Sequence, residues 1–232
     1  MKFIIVSLLL LLFPNDHTTF PMEEDLATKI EDLLSQENQI SMERKQELKD
    51  LAKKICAQQE ETGLSQVTFV CTHNSRRSQL SQIWFWRALE HFGIDGVSSY
   101  SGGTESTAFN HRMVSALQRF GFNILKLDEI ENPKYLIRSG LANEREMVLF
   151  SKKYADTFNP QKNFIAVMVC GQADAECPFV PGAYSRVSLP YEDPKVADDT
   201  PQETKSYDDK VVEIGREILY LVKYLKEVSD RP

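Results

Sequence analysis

The stretch 67–86 constrains the fold of this 232-residue chain more than any other, and it reads VTFVCTHNSRRSQLSQIWFW. It opens with an uninterrupted run of β-prone residues, 67–70, which is typical of a strand buried on both faces. From Ser78 onward, apolar residues recur at three- and four-residue steps between good helix formers, which predicts a helix. The sequence therefore predicts a strand, a short loop that begins at Cys71, and a helix.

This loop carries the pattern C-x5-R-S, formed by Cys71, Arg77 and Ser78. A loop that turns back before a helix directs backbone N–H groups into one concavity, where the helix dipole helps them to bind a tetrahedral oxyanion. The planar guanidinium of Arg77 can clamp two oxygens of that anion. The positive environment favours the thiolate form of Cys71, which makes this residue a candidate nucleophile, and Ser78 can donate a hydrogen bond to its sulfur.

The candidate oxyanion-binding residues are those that follow the nucleophile, namely Thr72, His73, Asn74, Ser75, Arg76 and Arg77. Asn74 suits a left-handed backbone position within such a loop. The alternative interpretation is an ordinary buried cysteine followed by a solvated pair of arginines. The position of the pattern between a strand and a helix favours the anion site.

Composition excludes several classes of protein. A net charge of −7 and a pI near 5.2 argue against nucleic acid as a partner. Four cysteines without a dense framework are typical of a reducing compartment and of thiol chemistry. The histidines lack the spacing of zinc ligands, so no metal site is expected.

Residues 1–21 allow two interpretations. Lys2 and the apolar run 3–13 are similar to the start of a secretory signal, but the run is too short to span a bilayer, so no membrane association is predicted. No small-residue cleavage site follows, and Met22 precedes an acidic helical sequence that would make an ordinary start. We favour a mis-assigned start and a cytoplasmic protein, with a true export signal as the alternative.

The rest of the chain divides into two predicted regions. Residues 22–62 have apolar residues at helical spacing with a break near 40–42, which predicts a two-helix extension that packs on the main domain or on a second subunit. Residues 66–228 are predicted to form the catalytic domain. There, strands at 97–101 and 122–127 alternate with a helix at 109–120, which predicts βαβ units and a parallel sheet.

Further elements follow in the second half of the chain. Two β-prone runs, 134–137 and 147–151, are predicted to form a hairpin around a polar turn. Residues 164–170 form a second strongly apolar run, which predicts another buried strand. A final amphipathic helix is predicted at 211–225. The fold class is therefore α/β, with a central parallel sheet flanked by helices.

Cys170 closes the second buried strand, and Cys177 follows in the stretch CGQADAECP. Because ligand sites lie beyond the carboxyl ends of parallel strands, we expect Cys71 and Cys170 at the same sheet edge. If residues 171–177 are helical, the Cα atoms of Cys170 and Cys177 lie about 10 Å apart. A disulfide needs less than about 7 Å, so joining them would require this segment to unwind. The alternative is two unrelated cysteines.

Asp193 and Pro194 lie in a loop before the last helix. A carboxyl group over the oxyanion site can protonate a leaving oxygen, which makes Asp193 a candidate general acid. Asp198 and Asp199 compete for that role. The alternative is a simple Asp-Pro turn.

Several motifs within residues 67–225 resemble the low-molecular-weight protein tyrosine phosphatase superfamily. CTHNSRRS is similar to its nucleophile loop, SGGT to its second strand-end motif, and the Asp193–Pro194 pair to its general-acid motif. CGQADAECP is similar to the redox segment of the thioredoxin-coupled arsenate reductase branch. The resemblance implies roles as nucleophile, oxyanion clamp, thiolate partner, acid and two relay thiols for, in that order, Cys71, Arg77, Ser78, Asp193, Cys170 and Cys177.

The resemblance implies reduction of arsenate to arsenite, as in arsenic detoxification, through disulfides first between Cys71 and Cys170 and then between Cys170 and Cys177. A thioredoxin-like protein would be the reductant, and no metal or organic cofactor would be required. The alternative within the superfamily is a phosphatase that hydrolyses phosphotyrosine or small aryl phosphates through a cysteinyl phosphate. A third interpretation is a non-catalytic module that binds oxyanions or senses redox state.

Overall fold

The computed structural model describes residues 21–138 and 145–230. The signal-like or mis-assigned start, apart from Pro21, lies outside the described residues, and so does most of the predicted hairpin turn. The elements follow in the order α1 (Pro21–Ser35), α2 (Met42–Thr62), β1 (Ser65–Cys71), α3 (Arg77–His91), β2 (Val97–Gly103), α4 (His111–Phe120), β3 (Asn123–Lys126), β4 (Tyr135–Arg138), β5 (Glu146–Leu149), β6 (Phe164–Met168), α5 (Gly171–Glu176), β7 (Ala183–Ser188) and α6 (Glu203–Ser229).

The central sheet has four parallel strands in the order β2-β1-β6-β7. All residues of β6 are buried, as are all residues of β1 except Gln66, because helices cover both faces of the sheet. Helices α3 and α6 pack closely at Gly215, where an added Cβ would lie 2.5 Å from Trp84 Cε2. The predicted α/β class with helices around a parallel sheet is confirmed.

The prediction was wrong for the strand after α4. β3 does not join the parallel sheet but pairs antiparallel with β4, which pairs antiparallel with β5. Only one side of β3 is covered: Ile124 is buried, whereas Leu125 is 45% exposed. Antiparallel sheets tolerate one solvated face, so a short strand of this kind belongs there. The predicted hairpin is confirmed in the pairing of β4 with β5.

Strand β7 was not predicted. It lies at the edge of the central sheet, beside β6, and it is only partly buried. Its sequence AYSRVS contains polar residues and lacks the long apolar run of a central strand, so the signal for a strand was weak. This strand carries Arg186 and Ser188, which contact α5.

The residues before β1 are helical, as predicted, and both α1 and α2 pack against α6. Ser41 caps α2 by accepting a hydrogen bond from the Arg44 backbone N–H at 3.1 Å. Arg44 Nε lies 2.8 Å from a carboxylate oxygen of Glu217 on α6. Its Nη2 donates to the Pro190 carbonyl at 2.7 Å, and its guanidinium lies 4.7 Å from the ring centre of Tyr191. Helix α2 therefore contacts the loop that precedes Asp193.

None of the helices in residues 21–138 and 145–230 is both long enough and apolar enough to cross a membrane.

Candidate active site

The nucleophile loop joins β1, which ends at Cys71, to α3, which begins at Arg77. The end of β2 lies directly against it. A Cβ on Gly103 would lie 2.6 Å from the Thr72 carbonyl oxygen and 2.8 Å from the Asn74 nitrogen, so only glycine allows this approach. The second glycine of the SGGT motif therefore brings the two strand ends together.

The backbone of the loop offers free donors. In the described part of the chain, the N–H groups of residues 72–76 donate no hydrogen bond to a backbone carbonyl or to a side chain. Asn74 has φ of 46°, the left-handed conformation predicted for it, which turns the chain back toward α3. Unpaired amides at a helix N-terminus are suited to an anion, so the loop can hold an oxyanion through its backbone.

Ser78 is oriented toward the sulfur of Cys71. Its Oγ lies 3.0 Å from Cys71 Sγ and accepts a hydrogen bond from Asn74 Nδ2 at 2.9 Å. The amide of Asn74 is itself fixed, because its Oδ1 accepts from the Lys152 backbone N–H at 2.9 Å. Since the Ser78 oxygen already accepts from Asn74, its hydroxyl hydrogen can point at Cys71 and stabilise a thiolate.

The polar network behind Asn74 was not predicted. Its Nδ2 also donates to Ser101 Oγ at 2.9 Å, and Ser101 donates to Gln82 Oε1 at 2.6 Å. These three side chains are buried, so each depends on the others for its hydrogen bonds. Ser101 stands in the SGGT motif, which was the only sequence signal for it. Gln82 lies within the helical pattern of α3 and gave none.

Three other loop residues tie the loop to its surroundings. Thr72 accepts at its carbonyl from the Glu105 N–H at 2.8 Å, and Ser75 Oγ donates to the Ala108 carbonyl at 2.7 Å. His73 is largely exposed, with Nε2 at 3.6 Å from a carboxylate oxygen of Glu105. The side chains of His73 and Ser75 thus have partners of their own, and what these two residues can offer an anion is their backbone.

Asp193 contacts both arginines of the loop. Its Oδ1 accepts from Arg76 Nε at 2.8 Å, and its Oδ2 accepts from Arg77 Nη2 at 2.6 Å and from Arg76 Nη2 at 3.2 Å. The competing carboxylates lie elsewhere: Asp198 accepts from the Tyr207 hydroxyl at 2.8 Å, and Asp199 pairs with Arg112. The geometry therefore favours Asp193 over the other two as the acid.

The charge state of Asp193 follows from these contacts. Burial alone would raise its pKa, but the hydrogen bond from Arg76 and the positive charges of Arg77 and Arg76 outweigh burial and lower the pKa below its ordinary value. The pKa of Arg76 is correspondingly raised, because Asp193 outweighs the opposing effect of burial on the guanidinium. Asp193 is thus a carboxylate at neutral pH in this arrangement.

Cys170 lies at the same sheet edge as Cys71. The pairing of β1 with β6 aligns Val70 with Met168, so both strands end side by side. Cys170 is fully buried, caps α5 by accepting from the Ala173 N–H at 3.3 Å, and has its sulfur 3.6 Å from Thr72 Oγ1. The structure brings this second thiol against the nucleophile loop.

Cys177 ends α5 and is half-buried, and both it and Cys170 are free thiols. The segment between them is helical, which is the case in which a bond between the two sulfurs requires the helix to unwind. Arg186 on β7 holds the far end of α5: its Nε donates to the Cys177 carbonyl at 2.9 Å, and its Nη2 donates to an Asp174 carboxylate oxygen at 2.6 Å. Ser188 Oγ donates to the other Asp174 oxygen at 2.8 Å.

Comparison with known proteins identifies the family. Residues 66–131 match the model described as low molecular weight phosphotyrosine protein phosphatase. Arsenate reductases of Bacillus licheniformis and Bacillus subtilis are each 28% identical over 153 residues, which is 66% of this chain and 91% of theirs. These similarities support the low-molecular-weight phosphotyrosine protein phosphatase superfamily as the family of this chain.

The superfamily predicted from the sequence is thus confirmed, and these relatives lie on its arsenate reductase branch. A low-molecular-weight phosphotyrosine phosphatase from Vibrio cholerae has a similar structure, with a TM-score of 0.45 at 14% identity over 68% of this chain and 95% of that one. The predicted enzyme class agrees with these relatives, which are named as arsenate reductases and a phosphatase.

Proposed function

We propose that this protein reduces arsenate to arsenite through Cys71, Cys170 and Cys177, with a thioredoxin-like protein as the reductant. One observation carries the proposal: the buried sulfur of Cys170 lies 3.6 Å from Thr72 of the nucleophile loop. Hydrolysis of an ester needs no second thiol at this place. A two-electron reduction needs one, because two thiols must be oxidised for each arsenate reduced.

In the first step, arsenate binds to the free amides of residues 72–76 and to Arg77, and the thiolate of Cys71 attacks arsenic. Monoanionic arsenate carries two hydroxyl groups. One proton passes to the departing hydroxyl, which leaves as water, and Asp193 is the group placed to deliver it. The product is an arsenic(V) adduct on Cys71 with a double negative charge, so atoms and charge balance.

In the second step, the thiolate of Cys170 attacks the sulfur of Cys71. The sulfur–arsenic bond breaks, its electron pair stays on arsenic, and arsenic(V) becomes arsenic(III). Arsenite takes up protons from the solvent and leaves. Cys71 and Cys170 remain joined in a disulfide.

In the third step, the thiolate of Cys177 attacks the sulfur of Cys170 and Cys71 departs as a thiolate, ready for another anion. This step needs α5 to unwind, since Cys170 and Cys177 stand at its two ends. The new disulfide moves toward the surface with Cys177, where a dithiol protein can reduce it.

Thiol mapping after one arsenate turnover tests the proposal. We expect the reduced enzyme, mixed with one equivalent of arsenate and no reductant, to release one equivalent of arsenite and to hold a Cys170–Cys177 disulfide with Cys71 free. In the Cys177→Ser variant the disulfide should join Cys71 to Cys170 instead. Release of arsenite with all cysteines still reduced would reject the relay, and no arsenite at all would reject the function.

A phosphatase is the second candidate function. The observation in its favour is that Cys71, Arg77, Ser78 and Asp193 form a complete set without the other cysteines. The same loop would then hydrolyse an aryl phosphate through a cysteinyl phosphate, and Cys170 would only protect Cys71 from oxidation. Both functions use the same loop. A variant that loses aryl phosphate hydrolysis is therefore expected to lose arsenate turnover as well.

We also propose that residues 22–62 form an extension to a catalytic domain at residues 66–228, and that the protein works in the cytoplasm in the removal of arsenate. All four cysteines are free, which suits a reducing compartment.

A further inference from the structure

The carboxylate of Asp193 is bound to Arg77, the residue predicted to clamp the oxyanion. Arg77 donates through Nη2 to the Asp193 carboxylate and through Nη1 to the Tyr191 carbonyl, at 2.6 and 2.9 Å. Its Nε is buried and has no hydrogen-bond partner in the described residues. An oxyanion that binds Arg77 Nη2 therefore competes with the Asp193 carboxylate for this donor.

Arg76 holds Asp193 beside the loop and, together with Arg77, lowers the pKa of its carboxyl group. Its guanidinium donates one hydrogen bond to each carboxylate oxygen of Asp193. The side chains of Arg76 and Asp193 are only 11% and 23% exposed. The other groups that face Asp193 are Arg77, the Lys195 backbone N–H, and Tyr207 on α6, whose hydroxyl donates to Asp198. When an oxyanion takes Arg77, Asp193 can stay on Arg76 as a carboxylate.

A carboxylate has no proton to give, and the two candidate substrates differ in what they need. A phosphate monoester dianion carries no hydroxyl group, so its alcohol or phenol must leave as the anion unless the protein supplies a proton. Monoanionic arsenate carries two hydroxyl protons. The Asp193 carboxylate can take one of them and return it to the departing oxygen, and water leaves with no proton from elsewhere.

We propose that Arg76 determines the substrate class: by holding Asp193 on the loop as a carboxylate, it favours oxyanions with hydroxyl groups of their own over phosphate monoesters of weakly acidic phenols and alcohols. This inference rests on the proposed arsenate reduction and adds a reason for its preference over ester hydrolysis. Arg76 acts through Asp193, so it is a positioning residue.

The test measures how the rate depends on the leaving group. Wild type and Arg76→Gln are given aryl phosphates from p-nitrophenyl phosphate to phenyl phosphate, and phenol release in the first turnover is followed. We expect a steep fall in rate with phenol pKa for the wild type. The fall should be shallower in the variant, so that its rate with phenyl phosphate relative to its rate with p-nitrophenyl phosphate rises by at least about 10-fold, because burial then raises the pKa of Asp193 and a larger fraction of it carries a proton.

Arg119→Gln is the matched control, since Arg119 forms a bidentate pair with Asp208 on the surface between α4 and α6. It should keep the steep wild-type dependence. If Arg76→Gln does not fold, Arg76→Met, which keeps the aliphatic length, replaces it with the same expected result.

The double variant Arg76→Gln/Asp193→Asn shows whether the effect runs through the carboxylate. We expect it to return to the steep dependence. Equal leaving-group dependence in the wild type and in a folded Arg76→Gln would overturn the inference, and so would a gain that persists in the double variant. Arsenite release by the wild type is measured separately, so the failure of arsenate reduction is distinguishable from the failure of this inference.

Discussion

The loop after β1 and the segment after β6 start alike and differ in how firmly they are held. Each follows a buried parallel strand at the same sheet edge, and each leads from a cysteine to a helix. The first precedes a helix of 15 residues and is hydrogen-bonded through Asn74 to β2 and to Lys152. The second leads to a helix of six residues, tied down by Arg186 and Ser188 of an edge strand.

The difference fits the two tasks that we propose for these regions. A cradle for an anion is effective only if its donors are already in place, because ordering them at the time of binding consumes affinity. A thiol that must travel from one disulfide to another needs a segment that opens easily. Helices of six residues are marginal without tertiary contacts, so α5 depends on the few side chains that hold it.

The largest expected effect is that of Cys71→Ser. Loss of the nucleophile should lower both arsenate turnover and aryl phosphate hydrolysis by at least about 10⁴-fold. Turnover of both substrates by the purified variant is the measurement, with Cys56→Ser as a control that should keep both. Survival of either activity would mean that the loop is not the reacting centre, which would contradict the role proposed for the region after β1.

Next in size is Cys177→Ser, which acts on the other region alone. Arsenate turnover with a thioredoxin-like reductant should stop after about one cycle, because the Cys71–Cys170 disulfide is left unresolved. Aryl phosphate hydrolysis should stay within about two-fold of the wild type. Steady arsenate turnover at the wild-type rate would show that α5 has no part in the reaction.

Ser78→Ala should have an intermediate effect. Loss of a hydrogen bond to a charged sulfur, worth about 1.5–3 kcal/mol, should slow attack by Cys71 about 10- to 100-fold. The rate of alkylation of Cys71 at neutral pH checks this, since it should fall in the variant. Ser75→Ala removes a hydroxyl of the same loop that donates to the Ala108 carbonyl, and should leave the alkylation rate unchanged.

Arg186→Gln should have a smaller effect, and it should speed up a reaction where the earlier variants slow one. Without the guanidinium, α5 loses contacts at Asp174 and at the Cys177 carbonyl, and these partly exposed contacts are together worth about 1 kcal/mol. We expect a mild oxidant to form the Cys170–Cys177 disulfide about five-fold faster. Arg138→Gln, which breaks an exposed ion pair with Glu146, is the matched control. A slower oxidation would mean that Arg186 promotes the bond rather than holding the helix closed.

The smallest effect concerns stability and pH. Because the folded protein lowers the pKa of Asp193, its ionisation contributes stability that is present above the pKa of the unfolded chain and lost as the pH falls through the folded pKa. Asp193→Asn should therefore lower the melting temperature slightly at pH 7, and the difference should shrink toward pH 3. A difference that grew on acidification would contradict the lowered pKa.

The sequence predicted one of the two compared regions far better than the other. A strand, a C-x5-R-S loop and a helix lie within twenty consecutive residues, so local pattern was enough to indicate the Cys71 site. The salt bridge from Arg76 to Asp193 joins residues 117 positions apart and has no local signal. The contacts of Arg186 and Ser188 with α5 depend on β7. This edge strand has a half-polar sequence, so neither the strand nor the role of Arg186 could be predicted.

Arg44 has a consequence for the size of the working enzyme. It reaches from α2 to Pro190 and Tyr191, and the carbonyl of Tyr191 receives Arg77. Helix α2 thus contacts the segment whose carbonyl holds Arg77. A fragment trimmed to residues 66–230 would keep every reacting group but lose this contact, so we expect it to bind an oxyanion less tightly than the longer chain does.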